Sequence, residues 1–212
     1  MSYRSVVALA AALLTAVAVG CGGGDDSPSA DDVPTGAVAT VGDVEITSDR
    51  LDDQVDALAR AQRPAGGSPA TGGGDDGDGD AAKVERDQLE AQALSMLLMA
   101  EALEQEAADR DIEVSLDDAR ARWEPIASRQ FKTKKALERF LGGQTEADLL
   151  AQLRLQVLTE RIDDQVSEQA GGGKPGAKAV EQFQKDFQQR WQDRTACADG
   201  YTAAGCNEDK TE

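Results

Sequence analysis

Hydrophobic residues in this chain recur at two spacings, and the change from one to the other marks out its elements. Val38-Ala39-Thr40-Val41 and Val44-Glu45-Ile46 are short β-branched runs flanking Gly42-Asp43. A glycine in the first place of a two-residue loop suits a type II′ turn, so the segment predicts a tight hairpin. From Thr47, an N-cap, the period lengthens: Leu51, Val55, Leu58 and Ala59 share one helical face. That helix should fade near Gln62, because Arg63-Pro64-Ala65-Gly66-Gly67 cannot continue it. The strongest helical pattern runs from about Lys83 to Arg110, with Leu89, Ala93, Met96, Leu97, Ala100 and Leu103 on one face and acids and glutamines opposite. Met96 and Met99 fit core filling better than an adaptable binding surface.

Asp111-Ile112-Glu113-Val114 reads as a short extended connector, and Ser115-Leu116-Asp117-Asp118 opens the next helix as an acidic capping box. Pro125 should end or kink that helix near Glu124. Lys134 to Leu141 forms a short helix stopped by Gly142-Gly143. Thr145-Glu146-Ala147-Asp148 caps another, in which Leu149, Leu153, Val157 or Leu158 and Ile162 mark the buried face up to Val166. Residues 167–176 read as a Gly-rich linker. A last helix follows from about Ala177 to Asp193 within the terminal segment 177–212, and its Val180, Phe183, Phe187 and Trp191 must be buried against earlier helices.

The first 20 residues form a signal peptide: Arg4, an apolar run from Val6 to Val19, then Gly20-Cys21. The run is short for a permanent bilayer span, which needs about 20 apolar residues. Ala18-Val19-Gly20-Cys21 resembles a bacterial lipobox, with Ala18 where leucine is usual, and this makes Cys21 the expected site of lipidation. Residues 21–37 would then be a flexible tether, and two acyl chains would hold the protein at a membrane surface. Plain secretion is the alternative. Cys197 and Cys206 are the remaining cysteines. In an oxidising compartment thiols this close in sequence should pair, a closure that contributes roughly 2.5 to 3 kcal/mol on the chain-entropy estimate.

Composition narrows the chemistry. The chain of 212 residues has no histidine, which excludes a Ser-His-Asp triad, a Cys-His pair, histidine-containing zinc sites and an imidazole base. Its 40 acids outweigh 22 bases, for a net charge of -18, so nucleic acid is not an expected partner. Lys132, Lys134, Lys135 and Arg139 form the nearest approach to a basic stripe and read as a solvated helix start. Residues 64–80 are an acidic insertion ending in Asp75-Asp76-Gly77-Asp78-Gly79-Asp80. Asp76, Asp78 and Asp80 have the spacing of the first calcium ligands of an EF-hand. Ala81 stands where that loop needs glycine and Asp87 where it needs a bidentate glutamate, so a solvated loop is expected, with no metal and no cofactor.

The hairpin Val38 to Ile46 with its capping Thr47, the long Leu-rich helix, Asp111-Ile112-Glu113-Val114-Ser115 and the helix opened by Thr145-Glu146-Ala147-Asp148-Leu149-Leu150 together resemble the N-terminal domain of SurA and PrsA-type foldases. The resemblance covers residues 38–166. It implies a mainly α fold with a short N-terminal hairpin and a returning C-terminal helix. It also implies an exported chaperone that holds unfolded or exported polypeptides, often as a membrane-anchored lipoprotein. Foldases of that family carry a parvulin prolyl isomerase domain before the returning helix; the Gly-rich stretch here leaves no room for one, so a holdase without catalysis is expected. A residual isomerase, or a dedicated assembly partner of one envelope protein, is the competing reading. Trp123, Phe131 and Phe140, between the Pro125 kink and Gly142, are the candidate client contacts. Asp43 in the hairpin turn and Arg110-Asp111 at the long helix's end depart from the family's usual glycines.

Overall fold

The computed structural model describes residues 28–62 and 79–206. The expected signal peptide, Cys21 and most of the acidic insertion, Asp76 and Asp78 included, lie outside the described residues.

After a single 3-10 turn at Ala30–Asp32, strands β1 (Ala37–Val41) and β2 (Val44–Thr47) pair antiparallel, with Val41 opposite Val44. Gly42 has φ +56° while Asp43 keeps a negative φ, the arrangement a type II′ turn requires. The register slips by one residue between Ala37 and Ala39, a bulge that turns Val38 and Ala39 into the core together. Six helices follow among the described residues: α1 (Ser48–Gln62), α2 (Gly79–Asp109), α3 (Leu116–Gln130), α4 (Lys134–Leu141), α5 (Glu146–Gln169) and α6 (Gly173–Gln192).

Local chemistry sets most helix starts. Thr47 Oγ1 accepts from the Arg50 N–H at 3.3 Å. Ser115 and Asp118 cap each other, the Asp118 N–H donating to Ser115 Oγ at 3.1 Å and the Ser115 N–H donating to Asp118 Oδ2 at 2.8 Å. Thr145 and Asp148 repeat the device at 3.1 and 2.9 Å. Hydrogen bonds from the Ser115 side chain and backbone, and then from Arg161, lower the Asp118 pKa to about 2. The unfolded value lies near about 3.9, so this contribution to stability is complete above roughly pH 4 and is lost as pH falls towards 2. Thermal melts between neutral and low pH should therefore show a smaller acid-induced loss for Asp118→Asn than for the parent chain.

The end of α2 answers the missing glycine. Asp111 takes φ +56°, alone among the described non-glycine residues, with its N–H donating to Ala108 O at 3.1 Å and the Ile112 N–H to Ala107 O at 2.8 Å. This is a Schellman stop with aspartate in the left-handed place, which costs an L-residue energy that glycine avoids. Asp111→Gly should raise stability by about 0.5–1 kcal/mol in urea titrations, because it relieves that conformational cost.

Four details differ from the sequence reading. Pro125 lies inside α3 without ending it; Ala121, whose carbonyl loses its partner, is exposed on the same face as Pro125, so water can satisfy the orphaned oxygen. The linker expected over 167–176 shrinks to 170–172. Pro175 falls in the first turn of α6, where its lacking N–H costs nothing, and Gly176 is buried so tightly on Ser167 that a Cβ there would collide. Thirdly, the long helix begins at Gly79, inside the span expected to be insertion. Finally, the segment after the last helix does not sit beyond the bundle: β3 (Thr195–Cys197) pairs antiparallel with β1, giving a sheet of order β2-β1-β3. The Cys197–Cys206 disulfide, with Cα atoms 5.5 Å apart, closes the loop that follows.

The core has three parts. The largest packs Val38, Val41 and Ile46 of the sheet with Leu51 and Val55 of α1, Leu94 and Leu98 of α2, and Phe187 and Trp191 of α6. A second joins Ala107 at the end of α2 and Val114 of the connector to Val157, Leu158, Ile162 and Val166 of α5. The third, smaller one holds Ala119, Trp123 and Leu150. Helix α2 is therefore central, covered by α1, the sheet, α5 and α6, and this explains why Leu94, Leu98 and Ala102 are buried off the single apolar face that its sequence suggested.

Candidate functional site

Two buried carboxylates lock the frame around α2. Glu106 Oε2 accepts from Arg190 at 2.7 Å and from the Trp191 indole N–H at 3.4 Å, while its Oε1 accepts from Arg110 at 2.7 Å. Glu101 pairs with Arg50 at 3.1 Å, and Gln105 donates to the Val41 carbonyl at 2.7 Å, tying α1 and the sheet to the same helix. Arg154 crosses from α5 to Glu104 at 2.7 Å and to the Val114 carbonyl at 2.8 Å. These positions escape a hydropathy reading because they interrupt the apolar pattern; buried acids with partners on other elements are a tertiary property.

On this frame two apolar clefts flank α2. One, of about 230 Å³, runs between α2, α6 and the disulfide loop and is lined by Leu98, Met99, Ala102, Phe187 and Trp191. Met99 is 47% exposed at its edge. The Ala204 N–H donates to Ser95 Oγ at 3.0 Å, so the disulfide-closed loop forms a fixed wall. The other cleft, of about 120 Å³, lies between α1, α2 and α5, with Leu58, Met96, Leu97 and Leu155 in its lining. Asp148 stands in its rim, its pKa lowered by hydrogen bonds from the Thr145 backbone and hydroxyl and by the charge of Arg60. Both methionines are thus on the surface, against the core-filling expectation. Helix α2 is covered on so many sides that its apolar arc is wider than one stripe, and Met96 and Met99 fall at the arc's uncovered margins.

The three aromatics singled out in the sequence do come together. Phe131 and Phe140 have ring centroids 4.8 Å apart, and Trp123 lies 6.0 Å from Phe131 and 6.1 Å from Phe140. Their exposure divides them: Trp123 is 6% exposed and belongs to the third core, Phe131 is half-buried, and Phe140 is 55% exposed. Trp123 therefore supports the cluster from beneath and offers no contact surface, leaving Phe140 as the cluster's surface residue.

Among the described residues no group of three or more Cys, Asp or Glu is placed to hold a metal ion, and no helix is long and apolar enough to cross a membrane. A helical body with a small sheet, a central α2 and apolar clefts at its flanks is a mainly α domain with a short N-terminal hairpin. The chain is a member of the SurA-like N-terminal domain family, which matches residues 2–162. No curated protein and no solved structure matches it. The family match stops before α6, although Phe187 and Trp191 of that helix complete the largest core.

Proposed function

We propose that this protein is an exported holdase, anchored to the cell membrane through Cys21, that binds unfolded or exported polypeptides without catalysing their isomerisation. The observation that carries the reading is the exposure of Met96 and Met99 at the margins of apolar clefts, with Phe140 exposed elsewhere on the same strongly acidic chain. Methionine side chains are flexible and polarizable, and so adapt to varied apolar partners, while a net charge of -18 opposes self-association of the patches. Membership of a chaperone-like foldase family supports the same reading. The turn at 170–172 between α5 and α6, where the resemblance would put a parvulin domain, and the absence of histidine from the chain favour holding over catalysis.

The clefts predict a specific loss. Met99→Glu combined with Met96→Glu should weaken binding of a permanently unfolded, fluorescently labelled polypeptide by about tenfold or more, since each change puts a charge into an apolar contact. Both side chains are already exposed, so denaturant midpoints should hardly move. Unchanged affinity in the double variant would remove the clefts from the account.

A further inference from the structure

Charge on this molecule is segregated. Between Arg129 and Arg139, across the end of α3 and along α4, five cations meet one acid, whereas the whole chain is strongly acidic. Arg129, Lys132, Lys134, Lys135 and Arg139 are all exposed, and among the described residues the one ion pair within the group is Lys134 with Glu138 at 3.6 Å. Phe140, the most exposed large apolar residue described, follows directly, its ring held by Phe131 and Trp123. Capping by Thr133, whose hydroxyl accepts from the Ala136 N–H at 3.2 Å, fixes the start of α4 and with it the direction of its lysines.

We propose that this corner is a docking surface for anionic lipid headgroups. Its lysines and arginines would lie against the phosphates while Phe140 enters the interface. Neither of the two clefts described above reaches it. A cationic face with one exposed aromatic complements a charged plane, as basic interfacial helices do. The remaining acidic surface is repelled by the same plane, and that repulsion turns the corner towards it. The inference rests on the proposed anchor only for keeping the protein beside a membrane.

The test is co-sedimentation of the full chain, as purified from membranes, with phosphatidylcholine vesicles and with vesicles also containing phosphatidylglycerol. Binding to the anionic vesicles should be stronger by about tenfold or more in low salt, given the contribution each basic residue makes near such a surface. The preference should vanish in Lys132→Glu/Lys134→Glu/Lys135→Glu and at high salt. All three positions are exposed, and an unchanged circular dichroism spectrum verifies folding of the variant. In Phe140→Trp, anionic vesicles alone should shift the added fluorescence to the blue. Equal affinity for both vesicle types, or a preference that survives the triple substitution, overturns the proposal. So does displacement of the protein from anionic vesicles into a tighter complex with polyglutamate, which would reassign the corner to acidic polypeptides. Failure to bind neutral vesicles counts against the anchor and leaves the anionic preference to be read separately.

Discussion

Replacing Trp191 with alanine is expected to destabilise the protein by about 3–5 kcal/mol, the largest single-residue effect on the fold, because it empties the site of a large buried aromatic. Trp191 is 4% exposed, packs 6.2 Å from Phe187 between ring centroids, donates its indole N–H to Glu106, and carries the Arg194 guanidinium 4.6 Å above its ring. Its carbonyl accepts from Thr195 Oγ1 at 2.6 Å, at the point where the chain leaves α6 for β3. Losing the ring should therefore loosen α6, the third strand and the disulfide loop together, and with them one wall of the cleft beside Met99. Equilibrium unfolding in guanidinium, read by far-UV circular dichroism, measures the cost. A change below about 1 kcal/mol would mean that α6 contributes far less than a buried tryptophan normally does.

Glu106→Ala should be the next most damaging, at about 2–4 kcal/mol, through electrostatics rather than volume. The carboxylate is 6% exposed and holds Arg110 and Arg190, whose side chains are 21% and 43% exposed. Removing it leaves two cations and an indole N–H facing a dry gap, and the partial exposure of the arginines keeps the loss towards the lower part of that range. Arg110 has further partners, Gln165 at 3.3 Å and the face of Phe183 at 4.6 Å, so the damage should fall mainly on Arg190 and α6. Glu106→Gln, which retains shape and can still accept hydrogen bonds, should recover part of the stability in the same unfolding experiment. Equal losses in the two variants would show that the charge alone, and neither the side chain's shape nor its accepting capacity, accounts for the effect.

What could be read in the sequence was what neighbouring residues decide among themselves. The II′ turn at Gly42, the caps at Thr47, Ser115 and Thr145, and the apolar faces of α1 and α6 depend on contacts a few residues apart. The third strand was not legible because Thr195-Ala196-Cys197 is too short to alternate and acquires its meaning only from Val41, Thr40 and Ala39, more than 150 residues earlier. Whether Pro125 would end its helix was not legible for a related reason: the penalty of a helical proline depends on whether the freed carbonyl faces water, a property of the packed molecule. Of the candidate site, the aromatic trio was found as a group, but its division into a buried Trp123 and an exposed Phe140 was set by packing against Leu150 and Ala119. The clefts beside Met96 and Met99 needed the return of α6 and the position of α5 before they existed at all.

Stability enters function through the same elements. The wall of the larger cleft is built from the last helix and the disulfide loop, so conditions that loosen Trp191 or Glu106 should lower affinity for unfolded chains before the α3 to α5 part of the molecule melts. The central claim is that the folded protein holds unfolded polypeptide without catalysis. Its most direct test is light scattering from a thermally unfolding client in the presence of increasing amounts of the protein, paired with a refolding reaction limited by proline isomerisation. The account predicts suppression of aggregation near equimolar ratio and an unaltered refolding rate. Aggregation that proceeds unchanged at several-fold excess, or a faster proline-limited phase, would contradict it.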